Sequence, residues 1–158
     1  MSKHVALDLS LDGPVEVPYE TTLLVRDFCL CLHVQRAARA LGRRFDEALR
    51  PLGLTNGQFS LLMSLNRPNP PTMGSVAALL AMDRTTLTAA LKPLERRGLI
   101  ELVVDTNDRR SRLLKLSPAG QAFLAKAVPI WERTHAAIEG RLPPPDANRL
   151  RENLRALS

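Results

Sequence analysis

The side chains best placed to do chemistry in this chain are cations. Arg109, Arg110 and Arg112 crowd into "DTNDRRSRLLKLSPAG", Asp105 to Gly120, between two strand-like runs. Guanidinium groups gathered in a turn repel one another and cover little core, so their concentration there predicts an anionic partner that neutralises them. Asp105 and Asp108 lessen the repulsion, and a carboxylate beside an arginine holds the guanidinium in one orientation. A second basic set lies upstream in "DRTTLTAALKPLERRG". With Leu87, Ala90, Leu91 and Leu94 on the buried side of a helix, Thr85, Ala89, Lys92 and Arg96 fall on the opposite side. A face of short side chains flanked by cations fits a major groove. There Thr85, with Thr86 or Thr88, reaches phosphate or base edges, and Ala89 meets a thymine methyl. Lys92 and Arg96 pair with phosphate or guanine, and Arg84 at the helix start joins the set.

Other reactive groups are sparse. Cys29 and Cys31 in "CLCLHV" are too few and too close for a disulfide framework and have no second ligand pair at zinc-finger spacing, so no structural metal is expected. On one continuous helix their side chains point about 200° apart, which leaves only an intermolecular or mixed disulfide; burial as small hydrophobes is the competing reading. His33, Arg36, Trp131 and His135 form a candidate site for a small anionic aromatic ligand, stacked on Trp131 and paired with Arg36 or a protonated histidine. Against it stands a role for Trp131 in an interface core, with His33 and His135 as ordinary polar positions. No glycine-rich phosphate loop, HExxH or GxSxG is present, and the three histidines have no partnered nucleophile, so neither catalysis nor a cofactor is expected.

The elements that must carry these residues are mostly helical. The chain has 158 residues, 45% hydrophobic and only 4% aromatic, with a formal charge of +6. That length suits one domain, and a Leu-, Ala- and Arg-rich mix loses little side-chain freedom in helices. Residues 1–20 are acidic, broken by Gly13, Pro14 and Pro18, and predict a flexible arm. A single long helix is predicted from Thr21 or Thr22, through Leu24, Phe28, Cys31, Leu32, Val34, Ala38, Leu41 and Phe45 to Leu49, stopped by Pro51 and Gly53.

Thr55 or Asn56 caps a short helix carrying Phe59, Leu62, Met63 and Leu65, and "NRPNPP" is a loop. Thr72 opens a helix with Met73, Val76, Leu79 and Leu80 on its apolar stripe, and Asp83 or Thr85 opens the next after a tight turn, giving a helix-turn-helix that closes at Gly98. "LIELVV" and "RLLKL" form an antiparallel hairpin. Ser117 and Pro118 start a long helix with Phe123, Leu124, Ala127, Ile130, Trp131 and Ile138 facing a partner and a kink at Pro129; Leu150, Leu154 and Leu157 form a last stripe. No run is long and apolar enough to span a bilayer, and the first residues lack the pattern of a signal peptide, which predicts a cytoplasmic chain away from membranes.

The order "TMGSVAALLAMDRTTLTAALKPLERRGLIELVVDTNDRRSRLLKLSPAG" resembles the winged helix-turn-helix of the MarR family of bacterial transcriptional regulators, most specifically in "LERRGLIE" and "DRRSRLLKLSPAG". The similarity extends from "RAARALGRRFDEALRPLGLTNGQFSLL" to the C-terminal helix. It implies a mainly α fold with a small β-hairpin wing: a core over about 54–117, and dimerisation helices over about 21–50 and 118–157. It also implies a homodimer on a palindromic double-stranded operator, often a repressor released by a small aromatic or phenolic ligand or by thiol oxidation. By position, Asp108 and Arg110 match the family's wing Asp-x-Arg, and Thr85, Thr86, Thr88 and Lys92 lie on its recognition helix. Pro93 departs from the pattern and bears on the reach of Arg96 and Arg97. Two rivals differ in class: an oxidant sensor using Cys29 or Cys31, and a winged module whose basic face docks an acidic protein.

Overall fold

A computed structural model describes residues 16–106, 108, 111–144 and 146–157, arranged as two compact units, residues 1–39 and 40–158. Arg109 and Arg110, the tip arginines of the hairpin, lie outside the described residues, as does most of the predicted arm. Among the described residues no helix is long and apolar enough to cross a membrane.

The first unit holds α1 (Tyr19–Phe28) and the start of α2 (Leu30–Leu49). Two expectations are corrected here. Pro18, not Thr21 or Thr22, occupies the cap position, so Tyr19 and Glu20 belong to the helix rather than to the arm; the Pro18 carbonyl accepts the Thr21 N–H at 3.0 Å. The long helix is also two helices. Cys29 adopts an extended conformation (φ −73°, ψ 106°) between them, its N–H still bonded to the Val25 carbonyl at 3.1 Å. Its own carbonyl accepts the His33 N–H at 3.1 Å, which restarts the ladder one residue later. An apolar spacing pattern does not register such a break, because helical spacing runs up to the single non-helical residue and resumes directly after it. No residue of α1 is buried, Tyr19 and Phe28 being 69% and 76% exposed.

In the second unit, α2 ends in a 3-10 turn, Arg50–Leu52, closed by Gly53 at φ 59°, a left-handed conformation that glycine adopts without a Cβ penalty. Then follow α3 (Asn56–Leu65), α4 (Met73–Leu79) and α5 (Arg84–Arg96). Each begins on the cap its sequence offers. The Thr55 hydroxyl accepts the Gln58 N–H while Gln58 reaches back to the Thr55 N–H, and Thr72 and Asp83 accept from Ser75 and Thr86. The turn between α4 and α5 puts Ala81 at φ 50°, a position where a side chain costs about 1 kcal/mol. The core gathers Leu49, Leu61, Leu62, Val76, Leu87, Leu94 and Leu114, all essentially fully buried. Each such leucine stabilises the fold by about 1.5–3 kcal/mol. On α3 and α4 two stripe positions are misassigned by the spacing: Met63 is exposed, and Leu79 is exposed with Ala77 buried in its place.

The hairpin pairs β1 (Ile100–Val104) with β2 (Arg112–Leu116) in antiparallel register, from Ile100 opposite Leu116 to Val104 opposite Arg112. Its base is held from a side the sequence did not suggest: the Leu114 N–H donates to the Pro71 carbonyl at 2.9 Å, and Thr72 bridges Leu113. The hydroxyl of Ser117 donates to the Gly98 carbonyl (2.6 Å) and accepts the Gly120 N–H (2.9 Å), so one side chain both caps α6 (Pro118–Glu139) and ties it to the end of α5. α6 continues past Pro129, and α7 (Asp146–Arg155) leaves Leu150 and Leu154 exposed, with Leu157 exposed just beyond it.

Candidate nucleic-acid interface

Helix α5 separates its two faces as the sequence demands. Leu87, Leu91 and Leu94 are buried, Ala90 is half-buried, and Arg84, Thr85, Thr86, Thr88, Ala89, Lys92 and Arg96 are exposed. Pro93 sits inside a helix that still reaches Arg96.

Hydrogen bonding sorts the three threonines. Thr86 donates its hydroxyl to Asp83 at 2.6 Å and Thr88 to the Arg84 carbonyl at 2.7 Å, so both donors are engaged within the helix. Among the described residues the hydroxyl of Thr85 has no such bond, which makes it the threonine of the three most ready to donate to an external oxygen. The two bonds from Thr86 also hold the Asp83 carboxyl below the usual carboxylate range, the hydroxyl contributing more than the backbone N–H. A charged cap of this kind fixes the start of α5.

The cations sort in the same way. Arg97, one residue past α5, donates to the Gly53 carbonyl at 2.9 Å and to Leu52 at 3.3 Å, and its guanidinium lies 4.7 Å from the Phe123 ring centroid. It is part of the scaffold. Arg84, Lys92 and Arg96 remain solvent-exposed, and Arg112 is exposed at the far end of β2. At the tip, the Ser111 N–H donates to the Asp108 carbonyl at 2.8 Å and the Asp105 N–H to Ser111 at 3.2 Å, which closes the turn. Chemically, the exposed face of α5 offers small side chains for close approach to a rigid polyanion, with cations to neutralise it.

The other candidate residues are divided between the two units. His33 and Arg36 lie on the part of α2 within the first unit, where His33 Nδ1 is 2.9 Å from the Cys29 carbonyl. In the second unit Trp131 stacks on His135 (centroids 4.8 Å apart) and on Phe59 (6.3 Å). The Glu139 carboxylate lies 3.3 Å from His135 Nε2 and is paired with Arg151. Beside Trp131 a mostly apolar groove of about 400 Å³ is lined by Phe59, Met63, Ser64, Leu79 and Val128 among others. Sequence reasoning missed this groove. Its only signal was Met63 and Leu79, apolar-stripe residues that the fold leaves exposed. Cys29 is half-buried at the helix break, while Cys31 is exposed and accepts a bond from Gln35 at 3.2 Å.

A short, capped helix pair followed by a two-stranded hairpin, with the second helix basic and exposed, defines a winged helix-turn-helix protein. The MarR family model matches residues 54–111, from the base of α3 to the hairpin turn. The chain is 30% identical over 122 residues to the transcriptional activatory protein BadR of Rhodopseudomonas palustris, covering 75% of this chain and 65% of that protein. It is 31% identical over 116 residues to the transcriptional repressor MprA of Escherichia coli, covering 72% and 62%. The matches thus span a little under two thirds of the length of these two relatives. Among solved structures, the M. tuberculosis transcriptional regulator MosR in complex with DNA superposes with a TM-score of 0.74 at 39% identity, over 82% of this chain and 92% of that one. The chain belongs to the MarR family. All three of these proteins are named as regulators of transcription, none as an enzyme.

Proposed function

We propose that this protein is a DNA-binding transcriptional regulator, a cytoplasmic homodimer that sets two copies of α5 into successive major grooves on one side of a palindromic operator. The observation that carries this reading is the exposed face of α5, where Arg84, Thr85, Ala89, Lys92 and Arg96 stand opposite the buried Leu87, Leu91 and Leu94. The likeness to MosR, solved with DNA, supports it. Asp108, Arg109, Arg110 and Arg112 are assigned to the wing's contact with the neighbouring minor groove, whose negative potential attracts arginine. We assign the exposed apolar residues of α1 and α7 to the dimer, and repression as the direction of control. A rival docking of acidic protein on the same basic face predicts association that random duplex and salt abolish alike.

Mobility shift with genomic fragments at about 150 mM salt tests the proposal, because specific operator binding survives competition by random duplex at that salt. Alanine at Arg84 or Arg96 should lower the magnitude of the salt slope by about 0.9 for each phosphate contact removed. Retention of wild-type affinity and slope by both folded variants would remove α5 from the interface.

For control of binding, the apolar groove beside Trp131 is the site proposed for a small aromatic effector, in place of the four-residue cluster His33, Arg36, Trp131 and His135. Trp131 is the only tryptophan, so a bound aromatic carboxylate should quench the intrinsic fluorescence and release DNA over the same concentration range. A second reading, oxidant sensing, is favoured by the break at Cys29: the opposed orientation expected of two cysteines on one continuous helix does not apply where one of them is extended. It predicts that mild peroxide releases DNA from the native protein but not from a Cys29→Ser/Cys31→Ser variant.

A further inference from the structure

Arg44 of α2, Arg133 of α6 and Arg141 just after α6 line one open cleft of about 450 Å³, together with Thr134, Ala137 and Ile138. All three arginines are exposed, and among the described residues none has a side-chain hydrogen bond or ion pair. This is not for want of nearby carboxylates. Asp46 accepts the Asn56 N–H at 2.6 Å, Glu47 is held by Arg50 at 2.5 Å, and Glu139 is shared by Arg151 and His135. Asp46, Glu47 and Glu139 are thus committed elsewhere, and Glu132, though next to Arg133 in sequence, is not among the residues that line the cleft, so three like charges face one space with no carboxylate in its lining. Thr134 adds no free donor, since its hydroxyl is bonded to the Ile130 carbonyl at 2.8 Å. The cleft draws no residue from α4, α5 or the hairpin, which separates it from the proposed DNA-contacting face.

We propose that this cleft binds a small molecule bearing a phosphoryl or pyrophosphoryl group. The guanidinium fork matches phosphate and carboxylate alike, but three forks carried by α2, by α6 and by the second residue past α6 need an anion with oxygens on several sides. A tetrahedral phosphoryl group has them; a planar carboxylate presents two oxygens in one plane. The volume exceeds that of a single phosphate and leaves room for a second phosphoryl group or for an attached organic moiety against Ala137 and Ile138. This assignment does not depend on the DNA reading.

Titration calorimetry of the full chain with inorganic pyrophosphate, at constant ionic strength, tests it. Saturable binding is expected, weakened about tenfold or more in Arg133→Gln/Arg141→Gln and changed less than about twofold in the α5 control Arg84→Gln/Arg96→Gln. Circular dichroism melts confirm folding, and if the double variant fails to fold, Arg44→Gln alone should weaken binding by about threefold or more. Absence of saturation overturns the proposal. So does unchanged affinity in the folded double variant, or equally tight citrate binding through the same arginines. Loss of duplex DNA affinity in the double variant with pyrophosphate affinity intact would likewise overturn it, by assigning the cleft to DNA.

Discussion

Arg96 and Arg97 are neighbours in sequence with different surroundings. Arg96 projects into solvent from the last turn of α5, whereas Arg97 is tied to the Gly53 and Leu52 carbonyls and covers Phe123. Arg97→Ala is therefore expected to lower stability by about 1 kcal/mol in urea unfolding and to leave the salt dependence of DNA binding unchanged. Arg96→Ala should do the reverse, keeping the unfolding midpoint and losing about 0.9 from the slope. A charge count cannot separate the two. Asp83 gives a pH-dependent test. Its carboxyl is held below the ordinary value by the Thr86 hydroxyl and N–H, so it binds fewer protons folded than unfolded. The stability it contributes is complete above the unfolded value of about 4 and is lost as pH falls through the lower folded value. Comparing unfolding midpoints of the native protein and Asp83→Asn from neutral pH to about pH 2.5, the difference should shrink only in that acid range.

At the scale of elements, the caps were the most legible features. Thr55, Thr72, Asp83 and Ser117 all begin the helices that their types and positions announce, because a cap bonds a backbone N–H only three residues away. The hairpin was equally plain, its two runs pairing over the full five residues of each strand. The break at Cys29 was not, and neither was the anchoring of the hairpin to Pro71 and Thr72, which joins segments some forty residues apart in sequence. Gly120 is a further hidden constraint. A Cβ there would overlap the Leu99 carbonyl oxygen where α6 passes the start of β1, and Leu116 Cδ2 would lie 3.3 Å from it. Gly120→Ala should destabilise by about 1–3 kcal/mol despite its better helix propensity, measured by chemical denaturation. A stabilised protein would mean that α6 can move away from β1 at little cost.

At the scale of the molecule, α1 and α7 contain no buried residues, and their apolar side chains are exposed in a single chain. Such surface suits a symmetric contact with a second copy, which needs about 800 Å² from each partner. Leu150→Asp/Leu154→Asp is expected to sediment as a monomer where the native chain sediments as a dimer. Operator affinity should then fall about a hundredfold or more, because two linked recognition helices bind with an effective concentration that one lacks. A monomeric native chain with full operator affinity would remove twofold symmetry from the reading.

The amino-acid order by itself determined the helix pair, its caps, the hairpin and the basic face of α5, since periodicity and capping act over about one helical turn. Tertiary structure alone decided which cations are free. Arg97 finds its carbonyl acceptor 44 residues away, Glu139 is taken by Arg151 across the turn into α7, and Arg44, Arg133 and Arg141 are left facing one cleft. A long side chain chooses its partner by distance in space, and no local pattern along the chain encodes that distance.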